Sequence, residues 1–176
     1  MKKFELTSEF VTFLGKTLFR IKALVSFGDV AEGELGGFIE RENNLDQSGD
    51  AWVYGDARVS GNARVYGDAR VSGNARVYGD AQVFGDAQVY GDAWVYGNAW
   101  VQNCRDYSAT SCFGSENRTT TFFRTKDGGI SVRCGCFYGT LREFREKVKE
   151  RHGDSRLAKE YLMLADLMEF RLSKDE

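Results

Sequence analysis

Residues 49–102 read GDAWVY, GDARVS, GNARVY, GDARVS, GNARVY, GDAQVF, GDAQVY, GDAWVY, GNAWVQ, nine consecutive hexads with no break in phase. A low-complexity tract does not hold register in this way, whereas here Gly, Asp or Asn, Ala and Val each keep one position. Within every hexad Ala-x-Val alternates, so Ala and Val face one way and the residue between them faces the other. The Gly-Asp or Gly-Asn pair that follows tolerates the left-handed backbone of a sharp corner. One hexad is therefore a flat side plus a corner. Three sides close a triangular coil of 18 residues, coils stack, and Ala and Val fill a narrow interior. Proline is absent from the chain, as expected where every strand donates hydrogen bonds to a neighbouring coil.

The phase of Val53 with Ala57, Val59 with Ala63 and Val65 with Ala69, sustained to Val101, resembles the hexapeptide-repeat family. That resemblance implies a left-handed parallel β-helix and, because relatives of this fold are usually trimers, a homotrimer. The chain departs from the family pattern in carrying Tyr, Ser or Phe directly after the aliphatic residue. Its overall arrangement also resembles uncharacterised hexapeptide-repeat proteins encoded by bacteriophages.

Working outward, Ile39 and Leu45 are six apart and announce an earlier, irregular coil. Residues 1–48 read as a β-rich N-terminal cap plus that coil. Phe4–Leu6 and Thr17–Ile21 are strand-like around a Gly15-Lys16 turn, and Phe10, Phe13, Phe19, Phe27 and Phe38 are expected to plug the open end of the prism. Residues 103–118 read as a linker loop. Residues 119–176 read as a hairpin, Thr119–Thr125 and Ile130–Phe137 around an Asp127-Gly128 turn, followed by two helices. Thr140 to Glu143 is a capping box at the start of the first helix, and His152-Gly153 ends it. The second helix runs from about Asp154 to Leu172, with Leu157, Tyr161, Leu164, Ala165, Met168 and Leu172 as its apolar stripe. The expected fold is mainly β: a left-handed parallel β-helix with a β-rich cap and a C-terminal hairpin plus two α-helices.

The chain has 176 residues, 24 Lys and Arg against 26 Asp and Glu, and a formal charge of −2. That balance argues against coating nucleic acid by bulk electrostatics. Glu5 and Glu9 interrupt what would be the apolar region of an export signal, and no apolar run is long enough to span a membrane, so the expected location is the cytoplasm. The one histidine, His152, lies far along the chain from the coils. Acyltransferases resembling this fold use a histidine base near the coils, and their carbonic-anhydrase relatives use three histidine ligands; neither activity carries over. Cys104, Cys112, Cys134 and Cys136 lack zinc-ligand spacing and read as reduced structural thiols, with Cys134 and Cys136 on the buried strand face of Ile130 and Val132. No metal and no cofactor is expected.

The outward residues carry the functional signal. Stacked positions lie 18 apart, so Arg58, Arg76 and Trp94 form one column beside Ser60, Tyr78 and Tyr96. A second side stacks Arg64, Gln82 and Trp100 beside Tyr66, Phe84 and Gln102. The third stacks Trp52, Arg70 and Gln88 beside Tyr54, Ser72 and Tyr90. Arg fits anions and flat rings fit nucleobases, and both types are enriched at interfaces. Two stacked arginines repel unless an anion or rings lie over them. Arg58, Arg76, Trp94, Tyr78 and Tyr96 are thus the expected ligand-binding residues, and Arg64, Tyr66, Phe84 and Trp100 the expected oligomer interface. The expected function is non-enzymatic binding: sequestration of a nucleotide-like anionic signal, or blockade of a host defence protein, by a phage factor. The alternatives are a purely structural oligomerisation module, whose columns only pack, and an acyltransferase-like enzyme with an unrecognised catalytic group.

Overall fold

The hexads fold as their alternation predicts. In the computed structural model, which describes residues 2–173, each Ala and Val of the repeat is buried and each intervening residue points outward, Trp52 excepted. The nine strands are β4 (Trp52–Val53), β5 (Arg58–Val59), β6 (Arg64–Val65), β7 (Arg70–Val71), β8 (Arg76–Val77), β9 (Gln82–Val83), β10 (Gln88–Val89), β11 (Trp94–Val95) and β12 (Trp100–Val101). All pair in parallel with the strand 18 residues away, giving three flat sides of a β-solenoid. Each fully buried Val contributes about 1.5–3 kcal/mol relative to exposure.

At the corners only glycine takes the left-handed backbone. Gly79 has φ +71°, and a Cβ there would approach the Gly97 nitrogen to 2.9 Å. The corner glycines therefore stack directly on one another. The neighbouring Asp and Asn residues keep negative φ and instead form side-chain ladders, Asn62 donating to Asp80 at 2.9 Å and Asn74 to Asp92 at 3.1 Å.

The irregular first coil exists. Three strands precede the repeat: β1 (Phe4–Phe13), β2 (Lys16–Ala23) and β3 (Leu35–Ile39). Ile39 pairs in parallel with Val59, and Leu45 bridges to Val65. Counting this coil, the solenoid has about four turns. Buried Asn44 occupies the position that Arg64 takes one coil later, and its amide donates to the carbonyls of Gly61 and Ala63. The corner at 46–50 is held by Lys3, whose ammonium donates to the carbonyls of Gly49 at 3.1 Å and Ala51 at 2.9 Å.

The N-terminal aromatics do not form a plug. Strands β1 and β2 form an antiparallel hairpin, and β2 pairs antiparallel with β3, so they extend one solenoid side into a six-stranded sheet, β1-β2-β3-β5-β8-β11. This satisfies the edge strand of that side. The hairpin then folds over the outward column. Phe13 packs edge-on against Tyr78 and Trp94, while Phe10 stays 61% exposed. The long β2–β3 connection covers the third side. Trp52 is 0% exposed between Phe4 and Phe27, although its register places it among the outward residues. Asp29 reaches down the same side to accept from the Tyr54 hydroxyl and from Arg70. The Tyr54 bond holds the Asp29 carboxyl below its usual range. Burial and that bond push the Tyr54 phenol up to about 12.

The chain divides into two units, Met1–Cys104 and Arg105–Glu176. The second has its own core, with Phe122, Val132, Leu141, Phe144, Val148 and Tyr161 among its buried residues. Its sheet is four-stranded rather than a single hairpin, in the order β13 (Tyr107–Phe113), β14 (Arg118–Arg124), β15 (Ile130–Cys134), β16 (Phe137–Thr140). Two expectations are corrected. The segment 103–118 is not a linker throughout, because β13 pairs along it with β14. The run Ile130–Phe137 is two strands, because Gly135 at φ +58° turns the chain and Cys134 pairs with Phe137. The helices α1 (Leu141–His152) and α2 (Arg156–Leu172) match expectation. So does the capping box: Thr140 accepts from the Glu143 amide and Glu143 accepts from the Thr140 amide. Those bonds hold the Glu143 carboxyl below its ordinary value. Among the described residues no helix is long and apolar enough to cross a membrane.

Candidate functional site

Parallel pairing puts Phe38, Arg58, Arg76 and Trp94 in one column. The two stacked arginines meet a ring: both guanidinium carbons lie 5.7 Å from the centre of Phe13, and that of Arg76 lies 4.5 Å from Trp94. Beside them Tyr78 and Tyr96 stack at 4.5 Å with nearly parallel planes. All five expected ligand-binding residues are thus together on one side, half-buried, with Arg58, Arg76, Tyr78 and Trp94 held by rings of their own chain. An open groove of about 360 Å³ lies at the adjoining corner, with Leu14, Lys16, Arg41 and Tyr78 among its walls. Its two cations are engaged, Lys16 with Glu40 and Arg41 with Asn62.

The expected interface residues also gather on one side. Tyr66 and Phe84 stack at 5.0 Å, Phe84 meets Trp100 edge-on at 4.8 Å, and Arg64 lies 5.6 Å from the Tyr66 ring centre. Tyr66, Phe84 and Trp100 are half-buried, and Arg64 is exposed.

The larger cavity is elsewhere, inside the second unit, at about 590 Å³. That volume suits a small-molecule site. Its apolar walls are Phe113, Phe137, Phe144 and Tyr161; Tyr161 meets Phe113 and Phe144 edge-on, and Phe137 lies tilted against Phe144. Gly114, at φ +78°, lies against the Tyr161 hydroxyl so closely that any Cβ would overlap it. The Ser115 amide donates to that hydroxyl at 3.1 Å. Burial raises the Tyr161 phenol above its ordinary value, against the opposing pull of the Ser115 amide.

The polar rim carries Arg118, Lys147 and Arg151, with Glu116 as its acid. Arg118 lies 4.0 Å from Glu116, and Lys147 pairs with Glu150 at 2.9 Å. Arg151 makes no ion pair among the described residues. His152, expected to serve only the helix terminus, stacks on Tyr161 at 5.6 Å and lines the cavity. Cys134 and Cys136 line it too. Cys134 is half-buried at the end of β15 and packs against the core of the second unit, whereas Cys136 is not strand-face core as expected but exposed, because the Gly135 turn ends the alternation. Cys104 and Cys112 are exposed as well. Among the described residues no three His, Cys, Asp or Glu side chains are grouped to hold a metal.

This cavity lies outside the residues expected to form a site. Its available signal was Lys147 and Arg151 at i, i+4 on α1, next to His152 and a short Cys-Gly-Cys turn.

Four stretches, residues 51–67, 57–71, 69–85 and 87–103, match the YdcK β-solenoid repeat. All lie within the hexads and their immediate edge, so the repeat region is similar to that solenoid family. No curated protein matches the chain.

Proposed function

We propose that this protein is a non-enzymatic binding protein for a small anion bearing a flat apolar group, of which a nucleotide-like molecule is the leading class. The observation that carries this reading is the Arg151 guanidinium, without an ion pair among the described residues, at the rim of a cavity walled by aromatic rings. A guanidinium is a bidentate partner for phosphate, and ring faces accept a base. The resemblance to phage-encoded repeat proteins supports a sequestering role in a host cytoplasm. In this reading the Arg58/Arg76 column is a packing element and the cavity is the ligand site.

The test is thermal shift with nucleotides, cyclic dinucleotides and ADP-ribose derivatives. A ligand at a hundredfold excess over Kd stabilises by about 2.7 kcal/mol. Arg151→Ala is expected to weaken binding roughly tenfold, the cost of one charge-assisted hydrogen bond, while Arg76→Ala leaves Kd unchanged. No shift with any of the three classes overturns the reading. A second reading, a structural oligomerisation module forming a homotrimer, is favoured by the half-buried Tyr66–Phe84–Trp100 ladder.

A further inference from the structure

The β15–β16 turn holds two thiols at one cavity. Cys134 pairs with Phe137 across the turn, so Gly135 and Cys136 are its two central residues. A tight turn brings residues two apart into the Cα separation of about 4.4–6.8 Å that a disulfide spans. Gly135 supplies the positive φ that this bend requires, +58°. The two thiols differ. Cys136 is exposed. Cys134 is half-buried and its sulfur accepts a hydrogen bond from the Thr120 hydroxyl at 3.2 Å. Arg118, Lys147 and Arg151 line the same cavity, with Glu116 its acid. An exposed thiol, a second and less exposed thiol two residues away and a mainly cationic rim are the parts of an exchange site for a negatively charged disulfide.

We propose that Cys134 and Cys136 form a dithiol site that exchanges with small anionic disulfides drawn into the cavity. The proposal rests on the reading of that cavity as an anion site. In the first step Cys136, as thiolate, attacks one sulfur of the disulfide R–S–S–R. The S–S bond breaks, one thiolate leaves and takes up the proton lost by Cys136, and R stays on Cys136 as a mixed disulfide. In the second step Cys134, as thiolate, attacks the Cys136 sulfur. The second R thiolate leaves and takes the Cys134 proton. The protein is oxidised by two electrons to a Cys134–Cys136 disulfide, and the substrate is reduced to two thiols.

The test treats the reduced full chain with glutathione disulfide, which carries carboxylates, and follows each cysteine by mass spectrometry and peptide mapping. Cys112, exposed and outside the cavity, is the internal reference. Cys136 is expected to react at least about tenfold faster than Cys112, the scale of electrostatic focusing in a charged cleft. The native chain should end as the 134–136 disulfide, two hydrogens lighter. Cys134→Ser, a near-isosteric change, should stop at a mixed disulfide on Cys136. Equal rates at Cys136 and Cys112, or no trapped mixed disulfide in Cys134→Ser, overturns the dithiol site. A nucleotide-induced thermal shift that persists in that case leaves the cavity's ligand reading standing. Cystamine, a cationic disulfide, separates the other failure: a rate equal to that of glutathione disulfide overturns anion recruitment, and with it the premise taken from the ligand reading.

Discussion

At the scale of single residues, neighbours outside the repeat decide what the repeat positions become. Lys3 is an example. Its side chain is buried at the corner of the first coil, beside Phe27, and donates to backbone carbonyls. Burial lowers its ammonium from 10.5 to about 8, against the opposing fields of Asp46 and Asp50. Below about pH 8 both folded and unfolded chains hold this proton, so it gives stability no slope with pH. Between about 8 and 10.5 the unfolded chain binds more protons than the folded one, so this group makes stability rise with pH. The melting temperature of the native chain minus that of Lys3→Met is expected to climb through this window and to be flat below it. A flat difference throughout would place the Lys3 proton in both states alike. Nothing in Met1-Lys2-Lys3 announces a buried ammonium, because the acceptors are carbonyls some 45 residues later. Trp52 is legible only in part for the same reason. Its column position follows from the hexad, but its burial follows from Phe4 and Phe27.

At the scale of elements, the β1–β2 hairpin is a strap across one solenoid side. Phe13, 8% exposed, is shared by Arg58, Arg76, Tyr78 and Trp94. Phe13→Ala is expected to cost about 3 kcal/mol in denaturant unfolding, from lost burial and a cavity and from two lost guanidinium–ring contacts. Phe10→Ala, at the 61% exposed position, should be near neutral. Comparable losses at both positions would mean that the strap acts through its backbone pairing alone. The elements legible in advance were those with a strong local code: hexads, the Asp127-Gly128 turn, the Thr140 capping box and the α2 stripe. Strand β13 was not legible. Its sequence, YSATSCF, has no apolar alternation, because it is an edge strand whose residues are mostly small and solvent-facing. The Gly135 turn was hidden inside a run that alternates well on paper.

At the scale of the whole molecule, the repeat leaves one side with a ring ladder that no hairpin straps. If copies meet there, Phe84→Ala should lower the mass measured by light scattering at micromolar concentration while the folded signal by circular dichroism persists, since Val83 and not Phe84 fills the interior. A monomeric native chain would remove the trimer from the structural reading. The sequence by itself determined the solenoid, its 18-residue register and the content of each outward column, because a repeat that buries Ala and Val at fixed phase has only one way to satisfy both its backbone and its core. Tertiary structure alone decided which columns stay open. Phe13, Phe4 and Phe27 reach their targets across tens of residues of chain, and no local periodicity encodes such a contact. It also decided where the C-terminal cavity lies. A cavity is the space left between β-turn, sheet and helices once each has met its own packing and hydrogen-bonding needs, and its walls, Phe113 to Tyr161, converge from six different elements.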